Sequence, residues 1–230
     1  MNEPKKNDYR DAPTIRLDEI DLQSVIDRAS VGKYARKSTR VRDRLYASEL
    51  GSCARAVWSN WRHPRPHDEE FERGRGMLGH AGEWVMGEHL RPILLGSEVT
   101  FTNHRVSGRA DFFVRIGTEQ IPVEVKTTYA LSWAVAESRA SHVLQAAFYA
   151  MSDDAPYAIL VYLNLGNYGG GSGKWVALRV PRMDAVLNAR VNALWDAVHS
   201  ETPPDCEHPG DCWDCGLVAE AEARRKATGP

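Results

Sequence analysis

Val106 to Thr128, VSGRADFFVRIGTEQIPVEVKTT, is the stretch on which the reading of the whole chain turns. Asp111 opens an apolar run, Asp-Phe-Phe-Val, and thirteen residues later Glu124 begins a Glu-x-Lys triplet across what reads as a β-hairpin. Glu124 and Lys126 alternate with Val123, Val125 and Thr127, the period-two pattern of a strand whose successive side chains point to opposite faces. Two carboxylates and an ammonium therefore converge. Hard divalent cations such as Mg²⁺ take oxygens from one or two carboxylates and keep several waters, a demand that Asp111, Glu124 and the carbonyl of Val125 meet. Lys126 is then placed to orient or deprotonate an attacking water, or to hold a scissile phosphate. The pattern points to metal-dependent hydrolysis of a phosphodiester; the bland reading of the same spacing is a charged hairpin.

Flanking segments add to the constellation. His80 lies upstream in GMLGHAGEWVMGEHL, a helical pattern with apolar Leu78, Trp84, Val85 and Leu90. His89 competes with it on the same helix, and Glu83 and Glu88 could also face the site. His80 is preferred because Gly79, Ala81 and Gly82 surround it with small residues, which lets the helix approach a strand closely. Downstream, Gln145 and Tyr149 stand four apart and so share one helix face, an arrangement that would also suit a helix packed on a sheet.

All four cysteines fall outside this block, Cys53 before it and Cys206, Cys212 and Cys215 after it. The tight C-terminal spacing argues for a metal centre rather than a disulfide framework. On the residues alone two assignments stay open. Cys212 and Cys215 have the two-residue spacing of a zinc knuckle, which Cys206 and His208 would complete. Four thiolates including Cys53 would instead satisfy a 4Fe-4S cluster, and only this choice gives Cys53 a purpose.

With 230 residues, 43% of them hydrophobic, the chain can bury one sizeable core, so a single domain with extensions is expected. The formal charge of −2 rules out a general polycation, and nucleic-acid affinity must come from local patches. The first candidate is KYARKSTRVRDR, where Lys33, Arg36, Lys37, Arg40, Arg42 and Arg44 face one acid, Asp43; a solvated linker is its alternative. No stretch reaches the roughly 18–20 apolar residues of a membrane span, and MNEPKKNDYR lacks the apolar core of a signal peptide, so no membrane contact and a cytoplasmic location are expected.

The order of elements reads as follows. LDEIDLQSVIDRA forms a short amphipathic helix, Ser48 caps a helix carrying Cys53 and Trp58, and residues 70–94 form a long helix. Strands follow near 98–102, 105–115 and 121–128, then a helix near 131–151, the strand YAILVYLN, the strand KWVALRV and a helix from Met183 to Val198. NYGGGSG lacks the Gly-Lys-Ser/Thr ending of a phosphate loop and reads as a hairpin tip. Strands joined by a crossover helix predict an α/β architecture, a mixed sheet flanked by helices.

Taken together, SELGSCARAVW, the His80 helix, GRADFF, VEVK, QAAFY and CEHPGDCWDC make the chain resemble the RecB-type branch of the PD-(D/E)xK nucleases. Within that branch it is similar to the CRISPR-associated Cas-four exonucleases. Ala110 stands where the superfamily name expects Pro. The resemblance implies a restriction-endonuclease-like core over residues 46–200, between a polar and basic extension over 1–45 and a cysteine-bearing segment over 201–230. It implies that His80, Asp111, Glu124 and the Val125 carbonyl hold Mg²⁺ or Mn²⁺, and that Asp111, Glu124, Lys126, Gln145 and Tyr149 make up the catalytic set, the last two contacting the nucleic acid near the active site. It assigns Cys53, Cys206, Cys212 and Cys215 to a 4Fe-4S cluster. The implied activity is a DNA exonuclease on single-stranded ends, with Trp133 or Trp61 stacking on bases, and with a CRISPR integrase or recombination proteins as partners. A non-hydrolytic DNA-end-binding subunit and a restriction-type endonuclease are the alternatives.

Overall fold

The structure, a computed structural model, describes residues 14–15, 42–63, 69–128, 140–164, 173–208, 212 and 215–216. The expected helix over 17–29, Lys33 to Arg40, Trp133 and most of the glycine-rich tip lie outside the described residues.

Among the described residues seven strands build one mixed sheet: β1 (Thr14–Ile15), β2 (Leu45–Tyr46), β3 (Leu94–Thr102), β4 (Val106–Ile116), β5 (Glu119–Thr128), β6 (Tyr157–Asn164) and β7 (Gly173–Pro181). Their order is β1-β7-β6-β5-β4-β2, with β3 also paired to β4. The pairs β5/β6 and β2/β4 are parallel and the others antiparallel. The helices are α1 (Ala54–Arg62), α2 (Glu69–Leu90), α3 (Ala140–Ser152) and α4 (Asp184–His199). α3 lies between parallel neighbours β5 and β6, as a crossover helix must.

Alternation along β6 shows how the layers divide. Leu160 and Tyr162 enter a core shared with α1, α3 and α4, through Val57, Ala146, Phe148, Leu187 and Leu194. Val161 and Leu163 enter a second core that takes Val85 and Met86 of α2, with Phe112, Val114, Ile121, Val123 and Val125. Helices therefore cover both faces of the sheet. Val123 and Val125 face α2, so Glu124 and Lys126, one residue out of phase, face α3.

Two helix boundaries differ from expectation. The long helix stops at Leu90 and Arg91–Ile93 forms a 3₁₀ turn with Pro92 near its start, so β3 begins at Leu94; proline has no N–H with which to continue an α-helix. Ser48 is not an N-cap. Ala47–Glu49 is a 3₁₀ turn, and the helix that was expected to start there starts at Ala54, with Cys53 in the capping position. The carbonyls of Leu50 and Ser52 accept from the Arg190 side chain, and the Ser52 amide closes back onto Glu49.

The hairpin of β4 and β5 is in the expected place, with one feature that matters for the site. Its ladder runs from Ile116↔Glu119 to Phe112↔Val123 and stops there. Beyond that pair β4 goes on to meet β2 at Val106 and Ser107, while β5 continues beside β6 to Thr128. The two strands thus part where Asp111 and Glu124 begin.

Candidate active site

Where β4 and β5 separate, the Val125 amide loses its ladder partner, and Asp111 Oδ2 replaces it, accepting that N–H at 2.7 Å. The carboxylate is fixed by the splay itself. Glu124 follows on the α3 face and is almost fully buried, 3% exposed. Its Oε1 accepts from Lys126 Nζ at 2.6 Å and from Gln145 Nε2 at 2.8 Å. Its Oε2 is buried and has no hydrogen-bond partner among the described residues. A buried carboxylate oxygen left unpaired costs free energy unless something positive meets it.

Gln145 and Tyr149 complete the frame from α3. Gln145 also donates to the Tyr149 hydroxyl at 2.9 Å, and that hydroxyl donates to the Arg109 carbonyl of β4 at 3.0 Å. Tyr149 is 1% exposed and Gln145 7%. The ring can lie flat on β4 because residue 108 is glycine: a Cβ there would come within 2.8 Å of Tyr149 Cε1. Burial holds the Tyr149 phenol well above its usual range, and the Glu124 charge adds to the shift, so it stays a neutral donor.

α2 brings the third acid. A Cβ on Gly82 would meet Thr127 Cγ2 at 2.4 Å, so this glycine allows the close approach of helix to strand expected of the small residues here; Gly79 has open space. The approach carries Glu83 into the field of the site. Burial, then repulsion from Glu124 and from Glu83, raises the Asp111 carboxyl well above the ordinary range. Burial also raises Glu124, against the pull of Lys126. Burial works to deprotonate Lys126, but Glu124, Asp111 and Glu83 outweigh it and hold the ammonium charged. Three acids face one lysine, with Arg109 adding only a weaker pull on Glu124, so the pocket is short of positive charge.

Asp111, Glu124, Lys126, Gln145, Tyr149 and the Val125 backbone are thus brought together. His80 is on the neighbouring turn of α2, its Nδ1 3.0 Å from Glu83 Oε2. Among the described residues the four thiols gather as a group that could hold a metal ion, and His80, Asp111 and Glu124 do not form another. Glu88 pairs with Arg91 on the surface, and His89 is exposed. Trp61 packs on the core edge-on to Trp195, and Arg42 pairs with Glu49 while lying 4.7 Å above the Trp61 ring. From the sequence both Glu83 and Glu88 could face the site; Glu83 reaches its field, while Glu88 pairs with Arg91. Sequence reasoning missed His142, one helical turn before Gln145, whose Nδ1 lies 3.0 Å from the hydroxyl of buried Tyr162.

The cysteines form a separate centre. All four sulfurs lie within 4.8 Å of one another, with Cys53 3.9 Å from Cys206 and 3.6 Å from Cys215. His208 is exposed and stands outside this group. Burial works against ionising Cys53, yet backbone N–H groups of Glu207, Arg55 and Ala56 hold its thiol below the usual range. Burial and the neighbouring thiols push Cys212 and Cys215 up. Such a donor set suits a metal that takes thiolates.

No protein-family model matches the chain, and no curated protein sequence matches it significantly. Among solved structures it is similar to a phage related exonuclease from Haemophilus somnus 129PT, at 10% identity and a TM-score of 0.51, over 66% of this chain and 92% of that one. The first likeness shows a shared fold. SSO0001 follows at 17% identity and a TM-score of 0.49, over 76% of this chain and 83% of the other. An alkaline exonuclease from Laribacter hongkongensis gives 13% and 0.42, over 81% and 94%. The expected fold class therefore holds: a mixed sheet flanked by helices, as in a nuclease, with a C-terminal cysteine cluster that could bind a metal cluster.

Proposed function

We propose that the chain is a Mg²⁺- or Mn²⁺-dependent deoxyribonuclease acting as an exonuclease on single-stranded DNA ends. The observation that carries this reading is the orphaned Oε2 of buried Glu124 beside Asp111, in a pocket where three acids face one lysine. Asp111 and Glu124, with the Val125 carbonyl and His80, would hold the ion. When bound, a divalent ion supplies Lewis acidity and lowers the pKa of a coordinated water.

The chain's own groups do the rest. Lys126, kept as an ammonium, meets negative charge developing on the phosphate. Gln145 fixes the Glu124 carboxylate and Tyr149 fixes Gln145, so this pair acts by positioning rather than by touching DNA. The division into a nuclease core over 46–200 with extensions on either side belongs to the same proposal, as does membership of the Cas-four branch of RecB-type nucleases. So do a cytoplasmic location and work beside a CRISPR integrase or recombination proteins. Among the described residues no helix is long and apolar enough to cross a membrane. The fold is shared with a phage related exonuclease, and Asp111, Glu124 and Lys126 standing together speak against a DNA-end clamp.

For the thiol centre the resemblance favours a 4Fe-4S cluster. The sulfur separations favour a second reading, a single tetrahedral ion, since four sulfurs about 2.3 Å from one zinc stand ~3.8 Å from each other. Protein purified without oxygen decides between them: brown colour with iron and sulfide for the cluster, a colourless protein with one zinc per chain for the ion.

The activity test uses protein stripped with EDTA and end-labelled DNA, single-stranded and duplex. Addition of Mg²⁺ or Mn²⁺ is expected to release mononucleotides or short products from single-stranded ends. Cleavage in EDTA, or cutting of closed circular duplex in preference to ends, would overturn the reading.

A further inference from the structure

The thiols come from segments 153 residues apart in the chain, and the segment carrying Cys206 has neither helix nor strand from residue 201 to 208. No ladder of backbone bonds delivers it to Cys53. What reaches both is Arg190, held in place by α4, whose Leu187, Val191 and Leu194 are buried in the core.

Arg190 Nε donates to the Leu50 carbonyl at 2.8 Å, and its Nη2 donates to the Ser52 carbonyl. On the other side Nη1 and Nη2 grip the two Glu207 carboxylate oxygens at 2.5 and 3.1 Å. The same carboxylate accepts the Ala54 amide at 3.3 Å, the first N–H of α1. This one ion pair therefore touches Ser52 and Ala54, the residues on either side of Cys53, and Glu207, the residue after Cys206. A planar guanidinium can address two carbonyls and a carboxylate at once; an ammonium cannot hold that fork. A carboxylate at a helix N-terminus is favoured in its own right.

We propose that Arg190 and Glu207 form a bracket that presets the four-thiol metal centre, as positioning residues and not as ligands. The bracket holds Cys53 against Cys206 before metal arrives, so it sets how firmly metal is retained. The proposal rests on the thiols binding metal at all, and metal content of the unaltered full-length protein tests that first. A metal-free unaltered protein sinks the centre and the bracket with it; a loaded one leaves the bracket to be judged by the variants alone.

The measurement is metal per chain by elemental analysis, followed by the time course of metal release to EDTA. Arg190→Ala should release metal about 10- to 100-fold faster, the scale of losing a group that orients metal ligands. Arg190→Lys and Glu207→Gln, milder changes that keep the protein folded should Arg190→Ala aggregate, should fall between. Val114→Ala, in the separate core on the α2 face of the sheet, is the control: it removes core packing and lowers the melting temperature, but should leave metal release near that of the unaltered protein. The double variant Arg190→Lys/Glu207→Gln should release metal no faster than the worse single one. Unchanged release from Arg190→Lys and Glu207→Gln, or equally fast release from Val114→Ala, would overturn the bracket.

Discussion

The acidic pocket and the thiol centre are built on opposite principles. Asp111, Glu124 and Lys126 sit on two central strands and are held by a rigid sheet, with Gln145 and Tyr149 locked behind them from α3. That pocket needs no ion to keep its shape, and its charges work against the fold. The thiol centre joins the start of α1 to Cys206, in a segment with neither helix nor strand from residue 201 to 208, and to Cys212 and Cys215. On the proposed reading, what the thiolates bind ties these distant segments together. One site should therefore give up activity without stability when damaged, and the other stability before activity.

The sharpest way to break this contrast is at the acids. Asp111→Ala, Glu124→Ala and Lys126→Ala should each reduce cleavage by about 10²-fold or more, the scale for removing one preorganised group that meets transition-state charge. DNA binding, read by anisotropy in EDTA, should be unchanged or tighter in the two acid variants as repulsion from phosphate falls. A variant that loses binding and melting temperature along with activity would mean that the pocket is structural.

At the thiol centre the expected effects are in stability. Bridging residues 53 and 206 closes a loop of 153 residues, and the cross-link entropy model values a loop that long at roughly 5 kcal/mol. Cys53→Ser and Cys212→Ser should lose metal alike and drop the melting temperature by similar amounts, on the order of 10 °C. Scanning calorimetry checks it. If Cys53→Ser keeps its metal while Cys212→Ser loses it, Cys53 belongs only to the packing.

A smaller effect of opposite sign is expected from the acids in the absence of metal. Burial and mutual repulsion hold the Asp111 carboxyl above its ordinary range, so the folded chain keeps a proton that the unfolded chain releases at about pH 4. The ion-free protein should then lose stability as pH rises from about 4 through the raised value, and regain it toward acid. Asp111→Asn keeps an acceptor for the Val125 amide but removes the charge. Melts in EDTA at neutral pH should rise by a few degrees, since ~1 kcal/mol corresponds to roughly 2–4 °C at this size, and the gain should vanish near pH 4. Identical melts at every pH would mean that the pocket is already neutralised.

These tests also mark how far the sequence could be read. The period-two run of Val123 to Thr127 was enough to put Glu124 and Lys126 on one face, and the hairpin followed from it. That β4 and β5 part beside Asp111 was not legible, because parting depends on which third and fourth strands each one meets, and Leu45 and Tyr46 of β2 carry no signal that they pair in parallel with Val106 and Ser107. Glu83 was visible as a neighbour of His80, yet its reach depends on how closely Gly82 lets α2 approach Thr127. Arg190 and Glu207 were invisible for a plainer reason. Each looks like a surface charge in its own segment, and their value arises from contacts across as many as 153 residues of chain.

The finest test concerns Tyr149, where positioning and DNA contact predict different losses. Its hydroxyl is buried, accepts from Gln145 and donates to the Arg109 carbonyl, so Tyr149→Phe leaves ring and packing in place and removes the bond to β4 together with the link that steadies Gln145 against Glu124. One net hydrogen bond is worth about 1 kcal/mol, and a comparable loss of transition-state stabilisation would slow turnover roughly 5- to 10-fold. If Tyr149 acts through Glu124, kcat should carry that loss while KM stays put, and pairing Tyr149→Phe with Gln145→Ala should be little worse than Gln145→Ala alone. If instead the phenol touches DNA, the same change made in an Asp111→Ala background should weaken binding of single-stranded DNA. A binding constant that does not move, with a kcat that does, places Tyr149 behind the site rather than in it.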